Sequence, residues 1–133
     1  MKTLTKTRLN RRGRPLLEKD IENYGNRTFT RMGFVCEKFK SPQKAHVPDR
    51  IMSGKQKRPG TLPLTFFIEY KKPDAEASEA QKLDHAERRS RGYYVFVIDC
   101  YELVHQAEFF IRQVLQEERM LPCPSVLIHG LRD

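Results

Sequence analysis

Two strand-sized apolar runs, Leu64–Lys71 and Tyr93–Ile98, are separated by one well-punctuated helical segment, and this arrangement narrows the available folds more than any other feature. Residues 73–77 break the first run. Ser78-Glu79-Ala80-Gln81 then reads as a capping box, with Ser78 as N-cap and Gln81 at the third helical position. A helix is expected from there to about Arg91, stopped by Gly92. A helix of that length serves as a crossover, which lets the strand after it run parallel to one before it. Tyr93–Ile98 is continuous in β-branched and aromatic residues, the pattern of a strand buried on both faces. A mixed sheet flanked by helices places the chain in the α/β class.

The other elements follow from local pattern. Pro15 suits the first position of a helix. Leu17, Ile21 and Tyr24 recur at helical spacing and Gly25 reads as a stop, so a short helix carrying Glu18 and Glu22 is expected over 15–25. Gly33–Lys40 and Val47–Ser53 read as strands that, with Leu64–Lys71, form a meander. Ser53–Thr61, with Gly54, Gly60, Pro59 and three basic residues, reads as an exposed hairpin loop. Leu103, Phe110, Ile111, Val114 and Leu115 mark a second long helix over 101–119, ended by Pro122 and Pro124, and 125–128 is expected as a short edge strand. The expected order is α-β-β-β-α-β-α. The chain has 133 residues, which fits a single domain over 15–133 preceded by a flexible basic arm over 1–14.

That arm carries most of the excess charge. The net charge is +8, yet residues 1–17 hold six basic residues and no acid, which leaves +2 for the remainder. A second basic concentration runs from Lys38 to Arg58, with Asp49 as its only acid. A polyanion, most simply nucleic acid, is the expected partner. The expected contacts are Arg11, Arg12 and Arg14 in the arm, and Lys38, Lys40, Arg50, Lys55, Lys57 and Arg58 in the second cluster. The alternative is a solubilising tail and a solvated loop. No run approaches the roughly 18 apolar residues of a membrane span, so no membrane partner is expected. Cys36, Cys100 and Cys123 are odd in number and widely spaced, which suggests reduced thiols, and the N-terminus lacks the apolar segment of a secretory signal. A cytoplasmic location is the expectation.

The stretch that carries chemistry is Val47-Pro48-Asp49-Arg50-Ile51, followed by Glu69-Tyr70-Lys71. Side chains alternate along a strand, so Glu69 and Lys71 share one face while Ile68 and Tyr70 face the core. Asp49 sits beside Glu69 if the hairpin register allows. Two carboxylates then offer hard oxygen ligands to Mg²⁺, with Mn²⁺ as a substitute, and such an ion keeps waters and binds phosphate oxygens. The lysine orients the attacking water or neutralises developing charge. Carboxylates set among many bases suit a phosphodiester substrate.

This spacing, Asp followed by Glu-x-Lys, resembles the PD-(D/E)xK nuclease superfamily. The Pro-Asp-Arg-Ile run, the strand FFIEYKKP, the SEAQ that opens the next helix and the Arg91-Gly92 step into YYVFVID together resemble the VRR-NUC domain, over roughly residues 16–100. The resemblance implies a restriction-endonuclease-like core. It implies that Asp49, Glu69 and Glu18 bind the metal, that Lys71 positions the water, and that Gln81 adds to the active site. It also implies a stand-alone, homodimeric, Mg²⁺-dependent endonuclease that acts on branched DNA such as Holliday junctions, with no small-molecule substrate. His46 departs from the pattern, which usually has a small residue two before the Pro-Asp pair.

Simpler roles stand beside these. Asp49 after Pro48 suits a turn, Gln81 suits a cap, Glu18 suits the first turn of a helix, and Glu22 rivals Glu18 for the site. His85, four residues after Gln81, shares its helix face and is a candidate for substrate contact. Asp99 reads as a strand-end turn residue. The alternative function is a non-catalytic nucleic-acid-binding module that keeps the fold.

Overall fold

In the computed structural model, residues 4–131 are described. The elements run α1 (Glu18–Arg31), β1 (Val35–Lys38), β2 (Arg50–Ser53), β3 (Thr65–Tyr70), α2 (Glu79–Ser90), β4 (Tyr94–Ile98), α3 (Tyr101–Glu117) and α4 (Val126–His129). The four strands form one mixed sheet in the order β1-β2-β3-β4. β1–β2 and β2–β3 are antiparallel, and β3–β4 is parallel, so α2 is the crossover. Helices flank this sheet, and among the described residues none is long and apolar enough to cross a membrane.

The alternation of the central strands divides the molecule. Phe66, Ile68 and Tyr70 of β3 and Tyr94, Phe96 and Ile98 of β4 join one core with α1, α3 and α4. The opposite face carries Phe67, Glu69, Val95 and Val97, and α2 lies against β4 there. Arg88 of α2 sits over the Phe39 and Phe67 rings at 4.8 and 5.0 Å. The capping box is formed: Gln81 N–H donates to Ser78 Oγ and Ser78 N–H to Gln81 Oε1.

Three expectations change. First, α1 does not stop at Gly25 but continues to Arg31. Gly25 is buried against β3, where an added Cβ would lie 2.3 Å from Tyr70 Oη, so the glycine permits close approach rather than ending the helix. The turn falls instead at Gly33, whose φ is +101°. Second, residues 125–128 form the start of α4 rather than an edge strand. The Pro124 and Ser125 carbonyls accept Leu127, Ile128 and His129 N–H groups, which winds the segment locally.

Third, residues 4–14 lie on the domain rather than free of it, while Lys2 and the other two residues of 1–3 lie outside the described residues. Lys6 is buried, with Nζ 2.7 Å from Asp99 Oδ2 and 3.0 Å from Asp74 Oδ1. Arg8 pairs with Asp74, and Thr7 N–H donates to Glu102. Leu9 then bridges Pro15 across a tight hairpin, in which Asn10 Oδ1 accepts from the Arg12 and Arg14 N–H groups. Charge composition suggested a solvated tail, but two carboxylates near the end of β4 and before α2 supply the counter-charges that the sequence keeps far away.

Two stability predictions follow from these contacts. Lys6→Ala leaves Asp99 buried without its cation and costs about 3 kcal/mol in urea denaturation; Lys6→Ala/Asp99→Asn recovers part of that loss if the pair is what matters. Gly25→Ala gains up to about 1 kcal/mol of helix propensity but overpacks Tyr70 by about 1–3 kcal/mol, so it lowers the unfolding midpoint. Adding Tyr70→Phe should return part of it, and a Gly25→Ala chain more stable than the native one would contradict the packing assigned here.

Candidate active site

The β2–β3 register pairs Arg50 with Ile68, and one step further it sets Asp49 opposite Glu69. Asp49 Oδ2 accepts the Tyr70 N–H at 3.0 Å, which fixes the carboxylate at the end of the ladder. The Asp49 and Glu69 carboxyls are close enough to shift each other's proton affinity. Burial, and then the neighbouring Glu69, push the Asp49 carboxyl up to about 7. Burial raises Glu69 as well, against the pull of its bond to Asp49 and of the Lys71 ammonium. Glu69 is 2% exposed and its Oε1 has no hydrogen-bond partner.

Lys71, one residue past β3, lies within electrostatic reach of Glu69 and Glu18. Among the described residues its ammonium makes no ion pair. Glu18 opens α1 and faces the same group: partial desolvation and then the Asp49 carboxylate raise it, while Lys71 lowers it. Glu22, one turn on, is occupied instead by an ion pair with Arg50. Glu22 still raises the Asp49 carboxyl, so both glutamates act on the cluster, and Arg50, held against Glu22, is mostly buried rather than presented as the expected nucleic-acid contact.

Asp49, Glu69, Lys71 and Glu18 are therefore brought together. Gln81 is not: its Oε1 is committed to the cap, and no contact joins it to the carboxylates. Among the described residues no group of three or more His, Cys, Asp or Glu side chains forms a ready ligand set, so Glu18 does not complete one with Asp49 and Glu69 as the resemblance implied. The fit to a divalent ion rests on the pair itself. Two adjacent carboxyls, Glu69 buried with an orphaned oxygen and Asp49 partly buried, match the demand of Mg²⁺, which is held by one or two carboxylates together with waters and phosphate oxygens.

His85 was expected to face substrate and instead is buried beneath the cluster, 1% exposed, with Nε2 3.6 Å from Glu69 Oε1. Burial, with Arg89 beside it, pulls its pKa down to about 4, so the imidazole is neutral. Behind it lies a cavity of about 420 Å³ bounded by α2, the end of β4 and α4, whose walls include His85 and Asp99 but not the carboxylate pair. Asp99 Oδ2 accepts the Asp74 N–H, the turn role expected of it.

Of the other expected nucleic-acid contacts, Lys57 reaches Glu118 and the Leu115 carbonyl, and Arg58 pairs with Glu118. Lys38, Lys40 and Lys55 are exposed and, among the described residues, make no ion pair. Arg27 and Arg31, which the expected helix end had excluded, are placed on α1 beside the N-terminal hairpin. No protein-family model matches the sequence, and no curated protein matches it.

Asp49 gives a pH dependence with a definite sign. Its folded pKa of about 7 lies above the ordinary aspartate value of 3.8, so the folded state binds this proton more tightly and loses stability as pH rises from about 4 to 7. In EDTA, the difference in stability between the native chain and Asp49→Asn should shift in favour of the variant on going from pH 5 to pH 8, by at least about 1 kcal/mol. Urea titrations at the two pH values measure it, and parallel behaviour of the two chains would mean that Asp49 titrates as an ordinary carboxyl.

Proposed function

We propose that this chain is a divalent-cation-dependent DNA endonuclease of the VRR-NUC type, with a restriction-endonuclease-like core. The observation that carries the reading is the approach of Asp49 to Glu69 across the β2–β3 register, with Lys71 on the same strand face and Glu18 arriving from α1. The sequence pattern alone left this approach conditional on register. Asp49 and Glu69 would hold Mg²⁺, or Mn²⁺ in its place, and that ion supplies charge stabilisation at phosphorus and a water of lowered pKa.

The chain's own groups do the rest. The Tyr70 N–H holds Asp49 in place beside Glu69. Lys71, free of ion pairing among the described residues, is available to orient water or to meet the charge that develops on the phosphate. Glu18 lies within the electrostatic reach of Asp49 and adds negative potential on the α1 side, as Glu22 does toward Asp49. A branched substrate and a homodimeric state belong to the same reading and come from the family resemblance, while a cytoplasmic location is proposed from the unpaired cysteines.

Four-way junction, flap and plain duplex DNA incubated with Mg²⁺ test the proposal. The intact chain should cut at least one of them. Asp49→Ala should fall to background, and Lys71→Ala should lose about a hundredfold or more in rate. Equal cutting by Asp49→Ala would remove the mechanism. Salt-dependent binding without cutting, unaffected by Mg²⁺ and by Glu69→Gln, would instead identify a non-catalytic binding module. Light scattering of the intact chain decides between monomer and homodimer.

A further inference from the structure

The N-terminal charge does not form a loose tail. Lys6 and Arg8 are neutralised by Asp74 and Asp99, and this anchorage fixes the hairpin that follows. The hairpin turn displays Arg11, Arg12 and Arg14. Because α1 continues past Gly25, it brings Arg27 and Arg31, one turn apart, alongside. All five guanidinium groups are exposed, and among the described residues none makes an ion pair. They line two adjoining grooves that share Arg11, Tyr24 and Arg27.

Lys38, Lys40 and Lys55 are uncompensated as well, but many other surface cations are paired. Arg88 has Asp84, Arg58 has Glu118, Lys44 has Asp84 and Glu87, and Arg112 has Glu108. The acid in the groove walls is Asp20, and its carboxylate is occupied by the Leu17 N–H at 2.9 Å. Five uncompensated like charges held by a pinned hairpin and a helix repel one another, and an external polyanion relieves that repulsion. Guanidinium forks match phosphate oxygens bidentately. The Tyr24 and Tyr101 rings, with centroids 4.8 Å apart, add an aromatic surface to the groove walls.

On the wheel of α1, Asp20, Arg27 and Arg31 lie about half a turn round from Glu18, which faces the carboxylate cluster. We propose that the hairpin over 8–16 and this outer face of α1 form a phosphate-binding surface for a nucleic-acid backbone, separate from the Asp49–Glu69 cluster. It would hold a segment other than the one at the carboxylates. That last step rests on the nuclease reading, whereas the surface itself does not.

Fluorescence anisotropy with a labelled DNA duplex, in EDTA and over a series of NaCl concentrations, tests it. Arg27→Gln/Arg31→Gln should weaken binding equally for duplexes of different sequence and reduce the slope of log K against log salt by about 2. Arg11→Gln/Arg12→Gln should do the same. Arg112→Gln removes one charge from α3 and should leave the slope unchanged. Circular dichroism checks that each variant is folded. Slopes equal to that of the intact chain in both arginine pairs would overturn the surface, and so would an equal loss per charge in Arg112→Gln, which would mean that only net charge matters. DNA bound in the expected way but never cut with Mg²⁺ removes the proposed reaction and leaves the surface. DNA cut with all slopes unchanged removes the surface and leaves the reaction.

Discussion

Tyr70 ties the two faces of the sheet together. Its N–H is accepted by Asp49, which stations that carboxylate against Glu69. Its side chain passes to the other face, where the hydroxyl donates to Asn26 and the ring fills the space left by Gly25. One residue thus sets the approach of α1 to the sheet and the position of a carboxylate at the site. The neighbouring Arg50–Glu22 pair works in the same direction, because it joins β2 to α1, whose Glu18 and Glu22 both lie within electrostatic reach of Asp49.

The charge pattern is resolved in two ways. Where a basic residue meets an acid distant in sequence, it becomes part of the architecture, as Lys6 does with Asp99 and Lys44 with Asp84. Where no acid arrives, the charge remains outward and uncompensated, as in the arginines of the hairpin and α1. The Asp49–Glu69 pair is the opposite case: two carboxyls lie together, Glu69 buried and Asp49 partly buried, and burial raises the affinity of both for a proton. Under the proposed function a metal ion would answer the inward acids and a polyanion the outward cations.

Much of the fold was legible because it is written in local pattern. The apolar run ending in Glu-Tyr-Lys, the Ser78–Gln81 capping box and the β-branched run after Gly92 each determine their own element, and β3, α2 and β4 fall within a residue or two of expectation. Gly25 was misread because a glycine in a helical pattern signals either a stop or a close contact, and only the Tyr70 ring across the interface distinguishes the two. The segment 125–128 has strand-like residues, yet its first turn closes on the Pro124 and Ser125 carbonyls. His85 shares a helix face with Gln81, but sequence spacing does not tell whether that face meets solvent or the underside of Glu69.

For the candidate site, the sequence by itself determined which groups face one way. Alternation along β3 puts Glu69 and Lys71 together, and hairpin connectivity puts Asp49 on the adjacent strand. Tertiary structure decided the register that sets Asp49 against Glu69, the pairing of Glu22 with Arg50, the removal of Gln81 into a cap, and the conversion of a basic arm into an anchored hairpin. The physical reason is common to all four. Periodicity is a property of neighbours in the chain, whereas counter-charges, caps and close contacts are chosen among groups that only folding brings within a few ångströms.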